Sequence, residues 1–393
     1  MDSMGFFKAA TANKKVIFSS CSLAVAAALF SLHFGQETPI LFKGNKNLCP
    51  KLREVPFAEK LGLVKKVTKL NIEGIKAPYN PGLVETSEGF FLVFRHDLKE
   101  RKRFLGIKTP FRQKIHLGNL KMPFRTFISS LHLDKSFRPV TLPKRVQTGS
   151  DFSEDPRLFT FQGDTYLSYN DIQTADVECR TIRIAKLNTD TGETKEPVDF
   201  TLNLQRVEKN WAPFIYSDQG KNTIHFEYCF NPHVVMKMED PLSSDLVHLK
   251  VPNHIALQNI PWHKSWGIVR GGTPPILVDG QYLAFFHSFF RQKGKIWYVM
   301  GAYTFEAEPP FRVTACSKLP ILFKGIYGTK TNNTAYSRKP SIFPSGLTYS
   351  HDGEDEVIHV ACGENDCGVK IVTFYKEALL KSLTPIPLFS KIQ

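Results

Sequence analysis

The chain carries none of the familiar nucleotide or serine-hydrolase signatures. It has no G-x-G-x-x-G, no P-loop and no G-x-S-x-G, so dinucleotide, ATP and serine-nucleophile chemistry lack their usual cradle. Cysteine is sparse: Cys21, Cys49, Cys179, Cys229, Cys316, Cys362 and Cys367, with no pair of C-x-x-C elements. That spacing argues against structural zinc. No His, Asp or Glu cluster has metal-ligand spacing either, so neither a catalytic metal nor a cofactor is expected. Acidic residues are the minority charge, 37 against 51 Lys and Arg, a formal balance of +14. Such a surface suits nucleic acid, anionic lipid or a phosphate-bearing substrate. The basic residues are scattered, densest in RHDLKERKRFLGIKTPFRQK from Arg95 to Lys114. No zinc-finger, RNA-recognition or basic-zipper pattern accompanies them, so no nucleic-acid partner is expected.

What the chain does have is length, Phe and Pro. Its 393 residues, 42% of them hydrophobic, make a packed core of one large domain or two ordinary ones. The 32 Phe and 25 Pro favour strands and turns over long helices. Near the N-terminus, VIFSSCSLAVAAALFSLHF runs from Val16 to Phe34 without a formal charge, after Lys8, Lys14 and Lys15. About 19 apolar residues just span a bilayer core as one hydrophobic helix. The preceding lysines favour a cytoplasmic N-terminus. The reading is a basic cytoplasmic tail over 1–15, a transmembrane signal anchor over 16–34, a linker over 35–65 and a catalytic domain over 66–393 on the non-cytoplasmic side. Ala26, Ala27 and Ala28 leave open signal-peptide cleavage and a secreted product. In an exported chain the cysteines outside the apolar segment could pair; Cys362 and Cys367 are near enough for a short loop, and free buried thiols fit equally. NNT at Asn332 matches a glycosylation acceptor.

From Tyr79 onward one pattern recurs. A polar residue stands near a Pro, then come a short apolar strand, a turn and a second strand ending in a polar residue. The copies are YNPGLVETSEGFFLVFRHD, SEDPRLFTFQGDTYLSYND, KNWAPFIYSDQGKNTIHFEYCFNP, RGGTPPILVDGQYLAFFHS and RKPSIFPSGLTYSHDGEDEVIHVACGENDCG. Their markers Pro81, Pro156, Pro213, Pro274 and Pro340 stand roughly 57 to 75 residues apart, a period that suits one four-stranded antiparallel sheet per repeat. Turn signals such as Gln-Gly-Asp and Asp-Gly-Gln separate the strands. The fold expected is all-β, a five-bladed β-propeller, with a β-sandwich as the alternative. First strands of a propeller line its channel, so equivalent positions of five blades converge. That places Asn80, Glu154 and Asp155 with Arg157, Lys209 and Arg270 at one mouth. The ends of second strands add Arg95, His287 and Asp366.

Such a funnel is polar and basic with a few carboxylates. Breaking a glycosidic bond needs a proton for the leaving oxygen, normally from a carboxylic acid. Hydrolysis with inversion also needs a second carboxylate to activate water; Glu208, Glu227 and Glu364 are the candidates, and no spacing selects among them. If phosphate attacks instead, cations must bind it, which Arg, Lys and His do well. Trp211, Tyr169, Tyr228, Phe286 and Phe289 are candidate sugar platforms.

EDPR before a hairpin, NPG in the first repeat with an Arg closing its hairpin, a GG-T-PP-I blade ending in His, MGAYTF with a later LPIL, and GEND near the end resemble glycoside hydrolase family 130 and its relatives. The resemblance covers about residues 75 to 375. It implies a five-bladed propeller acting on mannosides as an inverting β-mannoside phosphorylase or hydrolase. Asp155 matches the proton donor, whose proton passes through a sugar hydroxyl in the phosphorylases. Asp366 matches the carboxylate holding the mannosyl unit. Asn80 and Arg95 match sugar-contacting positions, and Arg157 shares the EDPR stretch. His287 matches the His closing the fourth blade on the phosphate side. Lys209 and Arg270 are the remaining anion contacts expected. Inorganic phosphate is the implied co-substrate and a mannose-containing glycan the partner, beside a membrane through the N-terminal helix. FFHS stands where the phosphorylases usually show YHG, and an exported domain is far from cytoplasmic phosphate pools. A membrane-anchored glycosyltransferase using the same pocket, and a non-catalytic glycan-binding propeller, are the alternatives.

Overall fold

The computed structural model describes residues 48–387, apart from 98–102, 105–106, 109–115, 118–119, 122–124, 174–175, 196, 201–204, 240–245, 251–257 and 331–338. The anticipated tail, the apolar segment 16–34 with its Cys21, and Asn332 lie outside the described residues. Among the described residues no helix is long and apolar enough to cross a membrane.

Local turns set the pattern. Two-residue loops close several hairpins: Gln162-Gly163 between Phe161 and Asp164, Gln219-Gly220 between Asp218 and Lys221, and Asp279-Gly280 between Val278 and Gln281. Both loop residues have positive φ in each case. Such turns match the twist of the flanking strands, and a Gly second residue takes that conformation without a Cβ clash.

Five antiparallel sheets result, one per repeat, and they make a five-bladed propeller. Blade 1 orders Tyr79–Thr86, Gly89–Asp97, Thr126–Leu133 and Lys144–Arg145. Blade 2 orders Glu154–Phe161, Asp164–Gln173, Asp176–Lys186 and Val198–Phe200, and Leu246–Val247 adds a parallel fifth strand. Blade 3 orders Ala212–Asp218, Lys221–Cys229, Val234–Met238 and Leu249–Lys250. In blade 4, Arg270–Gly271 and Ile276–Val278 both pair with Gln281–Gln292; Lys295–Glu306, Val313–Cys316 and Thr384–Pro385 follow outward. Blade 5 orders Ile342–Asp352, Asp355–Glu364 and Gly368–Tyr375. Its outermost strand comes from far earlier in the chain: Val64–Lys69 pairs with Gly368–Tyr375, with Val67 opposite Val372, and so closes the ring.

Two expectations need correction, and one open alternative closes. The stretch assigned to a linker belongs to the propeller from residue 48 onward. It forms a short helix, Pro50–Arg53, and buries Leu48, Leu52, Val55, Ala58 and Leu63 in the same apolar cluster as Phe285, Tyr303 and Phe323. Apolar side chains that close-pack there gain more than a solvated tether would. In the fifth repeat the inner strand begins at Ile342, and the ladder slips at Pro344 and Gly346, so Pro344 takes the marker place given to Pro340. Of the two alternatives open for Cys362 and Cys367, the structure shows Cys362 as a free buried thiol, as are Cys49 and Cys316, with Cys229 free and half-buried, so Cys362 closes no loop with Cys367.

Candidate active site

The inner strands of blades 1 and 2 begin alike. Each ladder slips by one residue, between Tyr79 and Gly82 and between Glu154 and Arg157. The residue at each slip has positive φ, 46° for Asn80 and 52° for Asp155. Asn and Asp tolerate this region better than other side chains, and the Pro that follows each removes a donor the ladder could not use. The outcome is that both side chains turn toward each other. The Asn80 Nδ2 donates to Asp155 Oδ1 at 2.7 Å.

Arg95, at the end of blade 1's second strand, completes this contact. Its Nη1 donates to the same Asp155 oxygen at 3.1 Å, its Nη2 lies 2.9 Å from Glu154 Oε1, and its Nε donates to Thr126 Oγ1 at 2.9 Å. Glu154 is a hub for cations: Lys209 Nζ reaches its Oε2 at 2.8 Å and Arg180 Nη2 its Oε1 at 3.5 Å. Burial alone would raise the Asp155 carboxyl. Arg95 above all, then Lys209, the Asn80 amide and Arg157, override burial and hold it well below the usual carboxylate range. Glu154 is likewise lowered, against its burial, by Arg95, Lys209 and Arg180.

Arg157 points across the axis. Its Nε donates to the Gly272 carbonyl of blade 4 at 2.7 Å and its Nη1 to the Asp155 carbonyl at 3.2 Å. Burial lowers it to about 10, so it stays charged at neutral pH. His287, paired across the ladder with Arg270, is 3% exposed and packs on Phe343 with ring centroids 4.4 Å apart. Burial, helped by Arg157 and Arg270, pushes it down to about 3, so its imidazole is neutral. Arg270 is exposed at the rim over the Phe289 ring. Asp366 lies half-buried in a turn with Asn365, both at positive φ, and its charge is felt by Tyr79 of blade 1 and Tyr298 of blade 4.

The structure therefore brings Asn80, Arg95, Asp155 and Lys209 into one contact network with Glu154, and sets Arg157 and His287 beside it. It does not draw Arg270 or Asp366 into direct contact with Asp155. Lys209 binds Glu154 instead of standing free for an anion. Of the aromatic candidates, Trp211 is core: it packs on Phe200, Phe226 and Tyr228, and its Nε1 donates to Glu208 Oε2 at 3.1 Å. Tyr169 and Phe286 are buried too; Tyr228 and Phe289 keep partial exposure.

The second-carboxylate candidates separate. Glu208 holds Trp211 and the Gln205 amide, and Glu364 holds Lys370 and the Thr329 amide, so both are structural. Glu227, on blade 3, accepts a hydrogen bond from the Tyr303 hydroxyl. Burial pushes it up to about 7, against that bond and the charge of Arg157. Its Oε1, Arg157 Nη2 and His287 Nδ1 are buried polar atoms without a partner among the described residues. The repeat placed Glu154 with Asp155 at the mouth, but sequence spacing could not single out Glu227, whose partners come from other blades, nor find Arg180, which lies on a third strand outside the hairpin pattern. Among the described residues no group of His, Cys, Asp or Glu is arranged to hold a metal ion.

Comparison with known proteins meets this geometry. Over 83% of this chain and 98% of its own, the structure of a β-1,2-mannobiose phosphorylase from Listeria innocua superposes with TM-score 0.53 at 15% identity, which shows a shared fold. A mannose phosphorylase from Leishmania mexicana in complex with phosphate covers 84% of this chain and 94% of its own, at 10% identity and TM-score 0.48. Among curated proteins, none matches the sequence. The sequence model of the beta-1,4-mannooligosaccharide phosphorylase family matches residues 51–384, nearly the whole propeller. The chain therefore belongs to glycoside hydrolase family 130 and is a glycoside phosphorylase-like enzyme.

Proposed function

We propose that the protein moves a mannosyl unit between a mannoside and inorganic phosphate with inversion, Asp155 carrying the proton. In phosphorolysis a phosphate oxygen attacks the anomeric carbon and the bond to the leaving oxygen breaks. That oxygen takes a proton from a neighbouring sugar hydroxyl, which is refilled from the Asp155 carboxyl. Asn80, Arg95, Arg157 and Asp366 hold the sugar; His287 and Arg270 face the anion, and Lys209 holds Glu154 in place beside them. The family's phosphorylases use phosphate as co-substrate and need no cofactor.

The observation that carries this reading is the Asp155 carboxylate, held at 2.7 Å by Asn80 and at 3.1 Å by Arg95 where the inner strands converge. Phosphate is favoured over water because Glu208 and Glu364 are committed elsewhere and Glu227 is buried against Tyr303. The resting charge of Asp155 also favours one direction. An ionised carboxylate is ready to accept a proton from an acceptor hydroxyl while mannose 1-phosphate donates its mannosyl group, the microscopic reverse of phosphorolysis. Phosphorolysis needs Asp155 protonated, which requires the bound substrate and phosphate to offset Arg95. The anchored, non-cytoplasmic placement proposed from 16–34 suits synthesis onto a glycan equally.

The test is product analysis. The full chain is incubated with β-mannosides with and without phosphate, and with mannose 1-phosphate plus a mannose acceptor. Phosphate-dependent mannose 1-phosphate, and faster chain extension in the reverse assay, are expected. Free mannose released equally without phosphate, or unaltered turnover in Asp155→Asn, overturns the reading.

A further inference from the structure

Away from the channel, at the seam where the ring closes, lies a groove of about 550 Å³. One wall is the closing strand Val64–Lys69; the other is the segment around Lys324 to Thr329. Five lysines line it, Lys65, Lys66, Lys69, Lys324 and Lys370, against one carboxylate, Glu59. Two of the five are already committed. Lys65 pairs with Asp352 and Asp355 at 2.8 and 2.9 Å. Lys370, whose side chain is 7% exposed, bonds Glu364 at 2.8 Å and the Gly325 carbonyl at 2.6 Å. Lys66, Lys69 and Lys324 form no salt bridge among the described residues, and they reach the groove from both walls. Glu59 accepts the Lys324 amide through one oxygen at 2.7 Å, and its other oxygen is buried without a hydrogen-bond partner among the described residues, a fixed negative charge that the lysines outnumber.

A second observation points to a ligand. Thr329 is 7% exposed and lines the groove, yet its Oγ1 is buried with no hydrogen-bond partner among the described residues. Buried hydroxyls are rarely left so. Ammonium groups on two walls, with a hydroxyl donor on one of them, suit a tetrahedral oxyanion of more than one charge. A lone carboxylate would neutralise too little of the lysine charge.

We infer that this groove binds a phosphate-bearing anion, with Lys69 on one wall and Lys324 and the Thr329 hydroxyl on the other. The closing strand has Gly368–Tyr375 as its ladder partner, and a bound anion would bridge it to the opposite wall as well. It favours the folded, closed ring by mass action. A soluble phosphate ester and a lipid headgroup share this chemistry.

The experiment uses the full chain with two probes, pyrophosphate and phosphatidylcholine vesicles with or without a phosphatidylinositol phosphate. Arg270→Ala serves as the background, so that binding at the channel mouth is weakened. Pyrophosphate is expected to raise the melting temperature, to bind more weakly as salt rises, and to shield Lys69 and Lys324 from acetylation read by mass spectrometry. Lys69→Ser with Lys324→Ser should weaken binding about tenfold or more and remove the thermal shift, while mannoside turnover in an otherwise native chain is retained. Shielding by pyrophosphate assigns a soluble ester; shielding only by the phosphoinositide vesicles assigns a headgroup. No shielding by either probe, or the same affinity in the double variant, overturns the inference.

Discussion

Asp155 owes its charge state to its company. Arg95 touches it and also grips Glu154, so one guanidinium holds two adjacent carboxylates ionised. Replacing Asp155 by Asn keeps the shape and removes the proposed proton carrier; turnover should fall by about 10²–10⁴-fold in both directions, and the melting temperature should fall as well, because Arg95 loses one of the buried carboxylates it pairs with. Glu227 is the contrast. Near neutrality it is already about half uncharged because it is buried, and its bond from Tyr303 can also be accepted by an amide. Glu227→Gln should therefore leave phosphate-dependent turnover within a few-fold and shift stability by about 1 kcal/mol or less, as read by steady-state assay and denaturant titration. A collapse of phosphate-independent release in that variant would instead mark Glu227 as a hydrolytic base. Asp155 was legible in the sequence because EDPR opens one of five like hairpins. Glu227 was not, because burial by Tyr303 and the charge of Arg157 reach it from other blades.

At the scale of elements, hairpins were easy to read and their edges were not. Gln-Gly and Asp-Gly loops declare themselves locally, and so do the apolar strands they join. The closing strand VKKVTK is half lysine and shows no apolar period, so nothing local says that it completes blade 5. The parallel Leu246–Val247 addition to blade 2 is equally silent, since it depends on a partner far back in the chain. The inner-strand slips also need support from a neighbouring blade. Gly363, on the second strand of blade 5, lies against the backbone at Asn80: a Cβ there would come within 2.5 Å of the Asn80 nitrogen and 3.1 Å of its Cα. Both are backbone atoms that cannot swing away, so Gly363→Ala must push Asn80 off its place. The expected result is a higher KM for mannoside and a slower kcat, with the phosphate KM little changed, because Asn80 contacts Asp155 and not the anion side. Initial-rate kinetics varying each substrate in turn decide it.

The whole molecule adds two dependences that no single blade has. The first is on residues 48–63, which pack like core although they precede the ring. Leu52 is fully buried beside blade 4, so Leu52→Ala should cost about 2–5 kcal/mol while activity per folded molecule stays unchanged. The second is on pH. His225, His233 and His359 are each pushed down to about 4, and His287 to about 3, all by burial. Unfolded, each titrates near 6.5. Between that value and about 4 the unfolded chain takes up protons that the folded chain refuses, so this stability is present above pH 6.5 and drains away as pH falls. Glu227 works the other way: raised to about 7, it keeps a proton when folded that the unfolded chain releases above roughly pH 4.5. Each histidine contributes at most about 1.4 kcal/mol per pH unit, and one of the four is offset by Glu227. The balance is about three protons, a ceiling of roughly 4 kcal/mol per pH unit at the steepest point. The melting temperature should thus fall steadily from pH 7 to 5, before most carboxylates titrate. His359, which bonds the Ser350 and Thr373 hydroxyls in a buried strand layer, offers a check on the cause. His359→Gln should lower the melting temperature at pH 7 and flatten its fall with pH by about the share of one proton. An unchanged slope in that variant would mean that His359 is not held neutral in the folded ring.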